Sequence, residues 1–219
     1  MITYEQIKKS PEINAYIKQG NASLQVQGYT DHSETHATIV AKQAGRILQK
    51  LGYDKRTVEL AKIAGYMHDI GNCVNRNGHA HHGAILARAI LKDMKMDYNE
   101  IALIINAIGE HDEKTGQATD PISAALILAD KTDVRRNRVQ SKVPEAFDQH
   151  DRVNYAVTGT ALHIRPQKEQ IQFNIQLDES ICSMMDYFEI FLQRMLMCKR
   201  SAEVLHMKFK MTANGNKIC

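Results

Sequence analysis

Apolar residues fall at Ile39, Ala44, Ile47, Leu48 and Leu51, the three-to-four spacing that lays one stripe along a helix. Asp31 or Ser33 stands where such a helix needs a cap, and Gly52 stands where it would end. The same periodicity predicts helices over about 57–68, 81–94, 98–111 and 121–135. Asp120 can cap the last of these, and Pro121 suits its first helical position. The first two thirds of the chain is therefore expected to be helical.

The pattern changes after HDRVNYA. VNYAVTGTALHIR and IQFNIQL are rich in strand formers, and the second alternates Ile171, Phe173, Ile175 and Leu177. PQKEQ between them can turn the chain, so the pair reads as a hairpin. A long helix from about Glu179 to Leu205 is expected next, then two short strands within MKFKMTANGNKI around a tight turn at Asn214-Gly215. The expected fold class is mainly α: a helical domain over 1–140 and a small α+β extension over 141–219, with the junction between Gln140 and Arg152. Met184, Met185, Met195, Met197 and Met207 read as adaptable packing in that extension. Its open hairpin edge and apolar helix suggest a homo-oligomer, with a small-ligand sensor as the competing reading.

Composition narrows the picture. A chain of 219 residues can bury one good-sized core, or one domain with an appendage. A net charge of +3 permits an anionic ligand but not the dense basic stripe of a duplex-binding surface, so no nucleic-acid polymer is expected as partner. Cys73, Cys182, Cys198 and Cys219 form neither a CxxC nor a metal-finger spacing, which points to reduced thiols in a cytoplasmic protein. The opening MITYEQIKKSPEI has no apolar signal region, and SICSMMDYFEIFLQRMLMC is broken by Asp186, Glu189 and Arg194. No membrane association is expected.

The histidines change the picture most. His36 shares a helical face with Val40 and Ile47, His68 follows Ala61 and Ala64, His111 follows Ile104 and Ala107, and Asp130 follows Leu126 and Ile127. Each is expected to point at a common core. One inward histidine is an ordinary core residue, but imidazoles and carboxylates from several helices make a costly polar centre unless a cation collects them. The stretch GYMHDIGN sets His68 beside Asp69. Neighbours on a helix diverge by about 100°, so the two can serve one site only at a helix end, where Gly71 lets the backbone turn away and the carboxylate has room to bridge two ions.

Taken in order, His36 in HATIVA, the doublet in YMHDIGN and Asp130 in LADKTD resemble the HD-domain metal-dependent phosphohydrolases, over roughly Thr30 to Arg138. The resemblance implies a first metal on His36, His68, Asp69 and Asp130, with Asp69 also the catalytic carboxylate. HAHHGAILARAIL and INAIGEHDEKTG are similar to the subset with a second metal, which implies His79 and His111 as further ligands. His82 is the fallback for His79, with a helix start expected near His81. The segments also look like the HD-type diadenosine tetraphosphate hydrolases. They depart from the HD-GYP cyclic-di-GMP phosphodiesterases by having Asp112 after His111 and no GYP motif.

Two divalent transition ions are therefore expected, drawn from Mn, Fe, Ni, Co or Zn, since nitrogen donors argue against Mg and Ca. The implied activity is phosphoester hydrolysis on a small phosphorylated substrate, a nucleotide or related compound. A di-iron oxygenase on the same ligands and a non-catalytic signalling module are the rivals. Lys131, Arg135, Arg136 and Arg138 follow Asp130 and are candidates for phosphate contacts. Helical geometry would place Asp133 and Asn137 on the face of Asp130, and Arg135 and Arg136 off it. Asp112 and Asp133 are candidates for orienting ligands, and His32, one turn before His36, for touching substrate.

Overall fold

The computed structural model describes residues 1–141 and 147–219. Residues 142–146, within the expected junction, lie outside the described residues. Two N-terminal helices, α1 (Tyr4–Lys8) and α2 (Pro11–Val26), start at the caps Thr3 and Ser10. Neither was expected from the apolar pattern. Then come α3 (Glu34–Lys50, capped by Ser33) and α4 (Lys55–Met67, capped by Asp54), then α5 (His79–Asp93), α6 (Tyr98–Gly109) and α7 (Pro121–Lys131). Asp97 and Asp120 accept backbone N–H bonds at the starts of α6 and α7, satisfying donors that a helix end leaves open.

Helix α3 buries Val40, Ala41, Ala44, Ile47 and Leu48 and packs on α4 and α7. The crossing with α4 is close because Gly65 meets the Ala41 backbone, where a Cβ would stand 2.7 Å from the Ala41 Cα. Helix α7 is shorter than its apolar run suggests. The Thr132 hydroxyl donates to the Leu128 carbonyl at 2.6 Å and Asp133 leaves the helical path, so the expected continuation to residue 135 does not form.

VNYA belongs to a further helix, α8 (Gln149–Ala156), rather than to a strand. Strands β1 (Val157–Arg165) and β2 (Gln170–Leu177) form the expected antiparallel hairpin. Helix α9 (Met184–Val204) begins at Met184, after the cap Ser183 and five residues later than expected from Glu179. Strand β3 (Lys208–Ala213) returns parallel to β2, and β4 (Asn216–Lys217) closes the sheet in the order β1-β2-β3-β4. The β3–β4 turn has Asn214 and Gly215 at φ 49° and 83°, the paired positive values that an Asn-Gly hairpin turn supplies. The inner face of the sheet, with Ile171, Phe173, Ile175, Phe209 and Met211, is buried and continuous with the core of the helical bundle. Helix α9 lies between, packed on α7 and on β3. No helix among the described residues is long and apolar enough to cross a membrane.

Candidate metal centre

Five helices and one 3-10 turn deliver side chains to one interior point. His36 comes from the first turn of α3, and His68 caps the C-terminal end of α4. Asp69 follows at once and opens the 3-10 turn Ile70–Cys73. This turn lets adjacent residues face one site. Helix α5 begins at His79, after Gly78 at φ 71°, so His79 is the first helical residue rather than part of a preceding turn. His111 follows the end of α6, and Asp130 sits in the last turn of α7. His36 and His68 are fully buried, and Asp69, His79 and His111 nearly so.

The contacts fall into two groups, one on each oxygen of Asp69. Asp69 Oδ2 lies 3.1 Å from His68 Nε2 and 3.7 Å from His36 Nε2. Asp130 Oδ1 completes that group, 3.3 Å from His36 Nε2 and 3.7 Å from His68 Nε2. Asp69 Oδ1 lies 3.6 Å from His79 Nε2 and 3.8 Å from His111 Nε2, and those two nitrogens are 3.1 Å apart. Asn72 fixes the rotation of the carboxylate, donating Nδ2–H to Asp69 Oδ1 at 2.9 Å and to the Asp69 carbonyl at 3.1 Å.

The other nitrogen of each imidazole decides its chemistry. His68 Nδ1 meets the Gly65 carbonyl at 2.8 Å, His79 Nδ1 the Arg76 carbonyl at 3.1 Å, and His111 Nδ1 the Ile108 carbonyl at 2.6 Å. His36 Nδ1 meets Asp133 Oδ2 at 2.7 Å. Carbonyl and carboxylate oxygens only accept, so the proton is assigned to Nδ1 and a neutral ring presents a bare Nε2 lone pair. The Nε2 atoms of His36 and His68 are buried and have no hydrogen-bond partner among the described residues. Buried polar atoms are ordinarily paired, and lone pairs gathered with two carboxylates suit a divalent cation. His36, His68 and Asp130, and likewise His68, Asp69 and His111, bring ligand atoms within 4.8 Å of one another, as holding an ion requires.

Charge agrees with this donor set. Burial pushes the Asp69 carboxyl up, but His68, His32 and His111 outweigh it and hold the group well below the usual carboxylate range. Asp130 is likewise held well down against burial, by Lys131, whose Nζ is 2.8 Å from Oδ2, and by His36 and His68. Burial pushes His79 and His111 down, toward the neutral form. For His68, burial acts downward, but Asp69, Asp130 and the Gly65 carbonyl together outweigh it and the shift is upward.

The remaining expected residues divide by position. His32, Asp112, Lys131 and Arg138 line a cavity of about 400 Å³ that opens onto Asp69, His79, His111 and Asp130. Asp133 lies behind His36 and also receives Arg135, at 2.6 and 3.0 Å. Arg135 thus reaches the site through Asp133 and lines a separate cleft with Arg46 and His163. His82 neither lines the cavity nor joins a ligand group; its ring lies near Gly78. Arg136 donates to the Tyr155 carbonyl on α8. Arg138 is buried and bonds the Asp31 and Asp133 carbonyls.

Sequence reasoning missed three cavity or site residues. Asn72 lies inside GYMHDIGN, but its contact with Asp69 depends on the 3-10 turn. Arg76 donates to Asn72 Oδ1 at 3.3 Å and stacks on the Tyr29 ring. Arg194 arrives from α9, pairs with Glu113 at 2.8 Å, and lines the same cavity. No signal in the chain joins residues so far apart.

This fold and this histidine–aspartate centre define a class: residues 33–137 match the model of the HD domain. These residues of the chain form an HD domain. Over 213 residues it is 30% identical to an uncharacterized protein of Methanocaldococcus jannaschii, an alignment covering 85% of this chain and 79% of that one. Ribonuclease Y of Enterococcus faecalis is 34% identical over 119 residues, which are 54% of this chain and 21% of the ribonuclease. Ribonuclease Y of Mycoplasma mycoides is 28% identical over 165 residues, 72% of this chain and 36% of the ribonuclease. The chain therefore spans about a fifth to a third of the ribonuclease Y relatives. A crystal structure titled as a predicted HD superfamily hydrolase, from an uncultured Thermotogales bacterium, aligns with a TM-score of 0.44 at 24% identity, covering 57% of this chain and 67% of that one.

Proposed function

We propose that this chain is a metal-dependent phosphohydrolase that cleaves a phosphoester bond in a nucleotide or a related small compound. The observation that carries the reading is the pair of buried, unpartnered Nε2 atoms on His36 and His68, facing Asp69 and Asp130. In this reading His36, His68, Asp69 and Asp130 would hold one divalent ion, and His79 and His111, with Asp69, would hold a second. A divalent metal bound there supplies an acidified water and positive charge at the phosphoryl oxygens.

The chain's own residues do the rest. Asp69, fixed by Asn72, orients the centre from the cavity lining. Lys131 and Arg76, on the cavity wall, neutralise phosphate charge. A volume of about 400 Å³ is in the range of small-ligand sites and admits a mononucleotide or the end of a chain. The name of the ribonuclease Y relatives keeps a short RNA end among the substrates to be tried, against the expectation from net charge.

The test is hydrolysis by the Mn-loaded protein of a panel holding nucleoside mono-, di- and triphosphates, dinucleoside polyphosphates, dinucleotides and short RNA. Turnover of at least one class is expected, with Asp69→Asn folded and inactive. Near-normal turnover by Asp69→Asn would refute the assigned role of that carboxylate, and inertness toward the whole panel would refute the reading.

A further inference from the structure

His32 repeats the chemistry of the four imidazoles above. Its Nδ1 meets the Thr30 carbonyl at 2.6 Å, so the proton belongs on Nδ1 and Nε2 carries the free lone pair. That nitrogen lies 3.9 Å from Asp69 Oδ2, just beyond the 3.1 and 3.7 Å at which His68 and His36 approach the same oxygen. The rings of His32 and His36 meet edge to face with centroids 5.6 Å apart, extending a run through His36–His68 at 5.2 Å and His68–His111 at 4.9 Å to His79–His111 at 5.0 Å.

The loop holding His32 is fixed by two neighbours, Asn21 and Arg138. The His32 amide donates to Asn21 Oδ1 on α2 at 2.8 Å. Arg138 donates to the Asp31 carbonyl through Nε at 3.0 Å and Nη2 at 2.8 Å. The Asp31 amide donates to the Arg138 carbonyl at 2.7 Å. A residue that only lines a wall needs no such restraint, whereas a metal ligand does, because its bond is lost with small displacements.

We infer that His32 is a further metal ligand, a fifth imidazole placed on the Asp69 Oδ2 side of the centre where the cavity opens. This rests on the metal-dependent reading above. The bland alternative is a cavity-wall histidine that meets only solvent or substrate.

The experiment is proton NMR of the full-length protein loaded with Co(II), recorded in H2O and in D2O. A histidine bound through Nε2 keeps its Nδ1 proton, which the paramagnetic ion shifts far outside the normal range and which vanishes in D2O. Five such signals are expected, from His32, His36, His68, His79 and His111, falling to four in His32→Gln and staying at five in His82→Gln. Adding free imidazole to His32→Ala should restore the visible Co(II) spectrum, which a wall residue would not influence. Four signals in the native protein, unchanged by His32→Gln, would overturn the inference and leave the metal reading intact. No shifted signal in any form would sink the metal reading itself.

Discussion

At the scale of single residues, the site depends on which atom of each group is left free. Asp133 accepts from His36 Nδ1 and receives Arg135 on its other side, so it sets the orientation and basicity of a ligand without facing the cavity. Loss of such a partner typically costs 10–100-fold in metal affinity. Asp133→Ala should therefore weaken Mn or Zn binding by about that factor in a chelator competition, and Arg135→Ala by less; an unaltered affinity in Asp133→Ala would contradict the role. Asp151 shows the opposite balance. Its Oδ1 is buried without a partner among the described residues, and burial, with Asp148 nearby, pushes the carboxyl up to about 6. The folded protein then holds a proton that the unfolded chain gives up near pH 4. That contribution is fully present below about pH 4 and is lost as pH rises through about 6. Asp151→Asn is expected to raise Tm relative to the native chain at pH 7.5 and to change it little at pH 4; equal shifts at both values would disprove this account. The inward placement of His36, His68, His111 and Asp130 was legible because they sit at helical spacings from apolar neighbours, and that of Asp69 because it stands beside His68 at a helix end before Gly71. Asn72 was not, since its side chain finds Asp69 only through a turn that the spacing does not describe.

At the scale of elements, the centre requires the turn Ile70–Cys73 to press against the start of α5. Gly71 allows this: a Cβ there would collide with the His79 carbonyl and the Gly83 amide, both backbone atoms that cannot rotate aside. Overpacking of this kind typically costs 1–3 kcal/mol, and here it would also move His79 away from Asp69. Gly71→Ala should lose roughly that much stability in urea melts and bind metal more weakly. A Gly71→Ala protein with native stability and metal content would show that the close approach is dispensable. The helices with clear apolar stripes, α3, α4, α6 and α7, were readable to within a few residues at their ends. The start of α5 was harder, because HAHHG offers three histidines and no capping side chain, and Gly78 supplies the break through its backbone instead. The early end of α7 was invisible for a related reason: Thr132 bonds back to Leu128 and frees Asp133 to meet His36, which no periodicity encodes.

At the scale of the whole molecule, the C-terminal elements are packed into the bundle through one continuous core. Helix α9 covers α7, which carries Asp130, and its Arg194 reaches Glu113 just after His111. Removing residues 184–219 should uncover the apolar face of α7, with loss of near-UV circular dichroism and of metal binding together. A truncated chain that stays folded and binds metal like the native one would contradict this. The sequence revealed the hairpin and the long helix, because strand alternation and helical periodicity are local. That β3 pairs in parallel with β2, and that α9 forms part of the cavity wall, follow from contacts between segments far apart in the chain. On the proposed reading, Asp69 would serve two cation sites. The most direct measurement is the metal content of the reconstituted native protein and of His79→Ala, by elemental analysis against protein concentration. Two ions per chain are expected in the native form and one in His79→Ala, and equal metal content in the two proteins, or none in either, would contradict it.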